Sequence, residues 1–105
     1  MKEVTPIELK KMIDAHEDFQ LIDVREEHEA EVCNLGGQLI PMGTVLEHVD
    51  EIAKDKKVVV HCRSGKRSAT VIQALEQQFG FTNLYNLKGG ILAYADDVDP
   101  SLSKY

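Results

Sequence analysis

The pattern of apolar and polar positions changes period several times along the chain. Val58-Val59-Val60 is a short, uninterrupted β-branched run and predicts a buried strand. Immediately after it the period becomes helical: Ser68-Ala69-Thr70-Val71-Ile72-Gln73-Ala74-Leu75 opens an amphipathic helix expected from Ser68 to Phe79, with Gly80 as its carboxyl cap. Upstream, Thr5-Pro6-Ile7-Glu8 is a capping box with proline at the first helical position. It predicts a helix from Pro6 to Ala15, with Ile7, Leu9, Met12 and Ile13 as the buried stripe and a very short strand at Lys2–Val4 before it. Gln20 to Val24 predicts a second strand and the polar stretch Arg25 to Glu31 a short helix. Asn34 to Gly37 is turn chemistry, Gln38 to Ile40 a brief strand stopped by Pro41, and Gly43-Thr44 the start of a helix carrying Val45, Leu46, Val49 and Ile52. Asn83 to Leu87 predicts the last strand, Gly89-Gly90 a turn, and Ile91 to Ala95 a short helix.

Strands alternating with helices predict an α/β domain: a small doubly wound, mainly parallel sheet of five short strands with helices on both faces. At 105 residues the chain fits a single domain over 1–105, with the acidic, proline-broken segment 96–105 as a C-terminal tail.

Charge and cysteine content narrow the chemistry. A formal net charge of −6 argues against nucleic acid and anionic membrane as partners. No apolar run is long enough to span a bilayer and Met1 to Pro6 lacks a signal-peptide core, so a soluble, cytoplasmic protein is expected. Cys33 and Cys62 follow neither a Cys-x-x-Cys nor a zinc-type spacing, which points away from a disulfide scaffold or structural metal. Cys33 reads as a packed or partly exposed thiol, and His61 as a strand-end residue packed under the following loop.

On this acidic chain, Cys62-Arg63-Ser64-Gly65-Lys66-Arg67-Ser68 is a local positive island between a strand and a helix. In a parallel α/β domain that junction lies at the carboxyl edge of the sheet, where a helix amino terminus offers unpaired N–H groups. Cys62 is the expected nucleophile, and the loop from Arg63 to Ser68 its anion cradle. Loop length separates two chemistries. Cysteine phosphatases carry His-Cys, five residues, then arginine; here His61-Cys62 is present, but Arg67 comes one position early and Ser68 stands where arginine is needed. The shorter loop suits a smaller target, a sulfane sulfur held as a persulfide.

The loop resembles the Cys-Arg-x-Gly-x-Arg-Ser active loop of the rhodanese-like sulfurtransferases. Leu21-Ile22-Asp23-Val24-Arg25 with Glu29 resembles that family's other signature, and Leu87-Lys88-Gly89-Gly90-Ile91-Leu92-Ala93-Tyr94 its closing Gly-Gly-x-x-Ala-Trp element, with Tyr94 in place of tryptophan. Val32 to Gly37 departs from the family's Gly-His-Ile-Pro-Gly-Ala. The ending, Val98 to Tyr105, is similar to the end of rhodanese domains fused to adenylyltransferases that deliver sulfur in cofactor synthesis.

The resemblance implies a thiosulfate or persulfide sulfurtransferase acting through a Cys62 persulfide, with no metal or organic cofactor. Its partners would be a small anionic sulfur donor and a thiol or protein acceptor. Arg63, Lys66 and Arg67 would attract the donor, Ser64, Gly65 and Ser68 would line the cradle, and Asp23, Arg25 and Glu29 would form a supporting shell, Asp23 and Arg25 acting most directly. A persulfide carrier dedicated to one protein partner is the nearest alternative; an arsenate reductase or phosphatase, and a non-catalytic interaction module, are more distant ones.

Overall fold

A computed structural model describes residues 1–105. Five strands, β1 (Glu3–Val4), β2 (Gln20–Asp23), β3 (Gln38–Leu39), β4 (Val58–His61) and β5 (Leu84–Leu87), form one sheet in the order β1-β5-β4-β2-β3. Every pairing is parallel. The helices are α1 (Pro6–Asp14), α2 (Glu27–Val32), α3 (Lys66–Phe79) and α4 (Gly90–Asp97). No helix is long and apolar enough to cross a membrane.

The valine run lies at the centre, and all of β4 is buried. Because strand side chains alternate, Val58, Val60 and Cys62 join the larger core, with Val71, Ile72 and Leu75 of α3. Val59 faces the other way, into a smaller core with Leu9 and Met12 of α1 and Tyr94 of α4. Register sets the site's neighbours: Asp23 is opposite His61 in β4, and Asn86 of β5 is opposite Val60. The carboxyl ends of β2, β4 and β5 therefore open at one edge.

Several expected elements differ in detail. In α1, Leu9 and Met12 are buried and Ile13 packs at the edge of the core, but Ile7 is exposed, because the capping turn carries it to the solvent side. The helix expected from Gly43-Thr44 is instead two single 3₁₀ turns, Val45–Glu47 and Val49–Glu51. His48 breaks them at φ −123°, ψ 27°. Only Val45 and Ile52 reach the core fully, so the apolar spacing is satisfied at the two ends of the segment while Leu46 faces solvent.

Two helix boundaries matter for the chemistry. α3 starts at Lys66 rather than Ser68, after Gly65 in the left-handed region at φ 102°, so Ser68 sits in the first turn with an N–H that has no intrahelical acceptor. α4 starts at Gly90 and runs on to Asp97, past the expected end at Ala95, so 96–105 is not wholly an irregular tail. Beyond it, Val98 and Leu102 pack against the smaller core.

The Gly89-Gly90 pair brings the amino terminus of α4 onto the loop after β4. Ile91 N–H donates to the Cys62 carbonyl at 3.0 Å and Leu92 N–H to the Arg63 carbonyl at 3.2 Å. A Cβ on Gly90 would lie 2.3 Å from the Arg63 carbonyl oxygen, with φ already at +64°. Gly90→Ala is therefore expected to destabilise the fold by at least about 1–3 kcal/mol. Gly43→Ala, which meets nothing within 4 Å, should stay within about 0.5 kcal/mol of the parent. Urea denaturation midpoints of the two variants test the contrast.

Candidate active site around Cys62

Cys62 follows β4 directly, and its side chain is only 1% exposed. The Gly65 N–H donates to Sγ at 3.1 Å and the Ser68 N–H at 3.5 Å, while the Ser68 hydroxyl oxygen lies 3.4 Å from Sγ. Burial pushes the Cys62 thiol up, but the Ser68 hydroxyl and the N–H groups of Ser68, Gly65 and Ser64 outweigh it, so the thiol ionises below its ordinary value. The sulfur anion is thus held by neutral dipoles at close range.

Ser68 is itself held. Its Oγ lies 2.5 Å from Oδ1 of Asn86 and 3.2 Å from the Gly65 carbonyl, which also accepts from Asn86 Nδ2 at 3.1 Å. Asn86 carries no motif signal, but strand alternation places it on the same face as buried Leu84, and a polar side chain at a core-facing strand position is a signal that sequence alone contains.

The cations divide in a way the sequence did not disclose. Arg67, expected to attract an anionic donor, is instead in a two-pronged ion pair with Glu29, Nη1 to Oε1 at 2.6 Å and Nη2 to Oε2 at 2.8 Å. Its position on the first turn of α3 points it at the amino end of α2, which is why Glu29 and not a solvent anion meets it. Arg63 is exposed, with its Nε 2.8 Å from the Tyr105 carbonyl oxygen. Lys66 is exposed and pairs with no carboxylate; Ser64 is exposed at the loop's outer turn.

Asp23 and Arg25 do brace the neighbouring edge. Arg25 is fully buried and donates to Asp23 through Nε at 3.0 Å and Nη2 at 2.8 Å, and Nη2 also reaches the Cys33 carbonyl at 2.7 Å. Its Nη1 donates to the Tyr105 hydroxyl at 2.9 Å, and that hydroxyl donates to Glu29 Oε2 at 2.8 Å. Glu29 therefore links the Arg67 loop to the Arg25 brace, a more direct part than the one expected for it, and Tyr105, absent from the expected site, ties the last segment to both. The Tyr105 ring also stacks under the guanidinium groups of Arg25 and Arg63, at 5.7 and 5.1 Å.

His61 is fully buried beneath the loop, its Nε2 4.0 Å from Asp23 Oδ2 and neither ring nitrogen hydrogen-bonded. Desolvation pushes its pKa down, which keeps the imidazole neutral. Cys33 is buried, 4.0 Å from Arg25 Nη1. No group of three or more His, Cys, Asp or Glu side chains is arranged to hold a metal ion. The two concave pockets lie elsewhere, one around Phe19, Gln20 and Lys56 and one around Ile40, Pro41 and His48, so the sulfur site is a tight cradle and not a cavity.

The profile of the rhodanese-like domain matches residues 5–97. The chain is 40% identical over 101 residues to the putative sulfurtransferase YtwF of Bacillus subtilis, covering 95% of this chain and 96% of that protein. It is 33% identical over 105 residues to the probable adenylyltransferase/sulfurtransferase MoeZ of Mycobacterium tuberculosis, covering 97% of this chain but only 26% of MoeZ. The crystal structure of a rhodanese-like domain protein from Staphylococcus aureus superposes with a TM-score of 0.83 at 31% identity, over 93% of this chain and 95% of that one.

The Glu29–Arg67 pair makes stability depend on pH in a defined sense. Two hydrogen bonds from Arg67 hold the Glu29 carboxyl well below the usual carboxylate range, against the opposing effect of burial. A lowered folded-state pKa stabilises the fold in full above the unfolded value of about 4.3, and that contribution is lost progressively as pH falls from there toward the lowered folded-state value. Glu29→Gln should cost about 1.5–3 kcal/mol at neutral pH. The gap between parent and variant should narrow steadily as pH falls below about 4.3, as read by denaturant titration at a series of pH values.

Proposed function

The chain belongs to the rhodanese-like domain family, and from that membership we propose that it is a sulfurtransferase that carries a sulfane sulfur on Cys62 as a persulfide. The observation that supports this reading most strongly is the convergence of the Gly65 N–H, the Ser68 N–H and the Ser68 hydroxyl on one buried sulfur. Donors aimed at a position where negative charge must sit need no reorganisation during reaction.

The cycle is ping-pong. The Cys62 thiolate attacks the outer sulfur of thiosulfate, or the terminal sulfur of a small persulfide. The new Sγ–S bond forms as the donor's S–S bond breaks, and the departing electron pair leaves on sulfite or on the donor thiolate. The enzyme then holds Cys62–S–S⁻, whose terminal anion faces the unpaired N–H groups at the start of α3 and its positive dipole end. A thiol or other thiophilic acceptor attacks the terminal sulfur, and Sγ leaves as the thiolate that the cradle stabilises. With Arg67 neutralised by Glu29, the charge available to draw an anionic donor rests on exposed Arg63 and Lys66.

A carrier that hands the persulfide to one protein is supported by the similarity to MoeZ and to UBA4 of Candida glabrata, whose names join a sulfurtransferase to an adenylyltransferase. It uses the same chemistry at Cys62 with a different acceptor.

Cys62→Ser should retain the folded far-ultraviolet spectrum and lose sulfur transfer by about 10³-fold or more. Mass spectrometry of the parent after exposure to thiosulfate, and separately to a small persulfide, should find one added sulfur on the peptide containing Cys62. Turnover retained in the serine variant, or sulfur found only on Cys33, would contradict the assignment.

A further inference from the structure

The Ser68 hydroxyl has one hydrogen and three neighbours able to accept it: Cys62 Sγ at 3.4 Å, the Gly65 carbonyl at 3.2 Å and Asn86 Oδ1 at 2.5 Å. The direction of the Asn86 amide is fixed independently. Its Nδ2 faces the Gly65 carbonyl at 3.1 Å, an acceptor that only a donor can satisfy, so Oδ1 must face Ser68. Asn86 is buried, and strand register with β4 holds it. The hydroxyl hydrogen therefore belongs to Asn86 by distance whenever the sulfur does not demand it.

We propose that Asn86 is a positioning residue that competes with Cys62 for the Ser68 hydroxyl hydrogen and so favours the sulfur-loaded cysteine over the empty thiolate. The proposal rests on the sulfur-transfer reading only in its second half. In the thiol form, Cys62 S–H can donate to Ser68 Oγ while the serine donates to Asn86. When Cys62 loses its proton, the charge sits on Sγ, the hydroxyl turns to the sulfur, and buried Oδ1 loses its partner. When a sulfane sulfur is added, the charge moves outward to the terminal atom and Sγ becomes an uncharged bridging sulfur. The hydroxyl is then released back to Asn86.

Removing the Asn86 amide still leaves the Gly65 carbonyl accepting from Ala69 N–H at 3.2 Å. It also leaves the charged surroundings in place: Arg63 and Lys66 on the loop and α3, Arg67 with Glu29, Arg25 with Asp23, and the buried imidazole of His61.

The test is the pH dependence of Cys62 alkylation by iodoacetamide in the parent, Asn86→Ala, Ser68→Ala and the double variant, with Asn86→Ser as a second replacement at the same position. Below the parent midpoint, Asn86→Ala and Asn86→Ser should raise the thiolate fraction by about two- to tenfold, the size expected when one hydrogen bond ceases to compete. In the Ser68→Ala background the same replacement should change nothing. A midpoint that stays or rises, or that falls equally without the serine hydroxyl, overturns the proposal; a shared loss of folding would not give the serine-dependent shift.

A second arm measures the fraction of Cys62 carrying sulfur at a fixed concentration of a small persulfide above the midpoint. The loading equilibrium of Asn86→Ala should fall by the same factor, and an unchanged equilibrium overturns the claim about the loaded state. If the parent itself takes up no sulfur from any donor, the sulfur-transfer reading fails, and the alkylation arm still decides the competition for the hydroxyl.

Discussion

A sulfur anion inside a protein must find its stabilisation within hydrogen-bond reach, because burial at 1% exposure removes the water that would otherwise solvate it. Cys62 meets that constraint with backbone N–H groups and one hydroxyl, not with a neighbouring full charge. The arrangement requires a helix to begin four residues after Cys62 and a left-handed residue to turn the chain just before it, which Gly65 supplies at φ 102°. It also requires that something hold the loop from below, where Gly90 admits the start of α4 so closely that a methyl group would collide with the Arg63 carbonyl. The central strand β4 fixes the point from which all of this is built.

Around the cradle lies a charged girdle whose members satisfy one another. Asp23 and Glu29 neutralise Arg25 and Arg67, and the Tyr105 hydroxyl sits between the two pairs. A buried pair such as Arg25–Asp23 contributes little net stability beyond what an apolar packing would give, but removing one member leaves an unpaired charge and costs about 3–5 kcal/mol, more than at the partly exposed Glu29–Arg67 pair. Their effect on the site is geometric: β2, α2, the cysteine loop and the last segment are held in one register. The same pairing occupies the Arg67 guanidinium, so that Arg63 and Lys66 are the cations of the loop and of the first turn of α3 with no carboxylate side chain paired to them.

Much of the architecture was legible because it depends on period and local chemistry. The valine run, the capping box at Thr5, the Gly80 cap and the alternation of strands with helices each identified an element that the structure contains. The family resemblance rested on residues now seen at one sheet edge, and the match over residues 5–97 agrees with it. What period and local chemistry left undecided was set by tertiary placement. Arg67 has the same sequence neighbourhood whether it meets an anion or Glu29, and only the approach of α2 decides. The 3₁₀ turns at Val45 and Val49 arise because the segment satisfies its apolar spacing only at its ends, and Asn86, a polar residue at a core-facing strand position, meets Ser68 and Gly65 only through the register of β5 on β4.

The whole arrangement serves the charge state that the cradle imposes on Cys62. Subtracting the ultraviolet thiolate absorbance of Cys62→Ser from that of the parent across a pH titration isolates this one group. A thiolate held by these N–H groups and the hydroxyl should give a transition below the value of about 8.5 for a free cysteine. A transition at or above that value would mean that burial outweighs the N–H groups and the hydroxyl, and would contradict it.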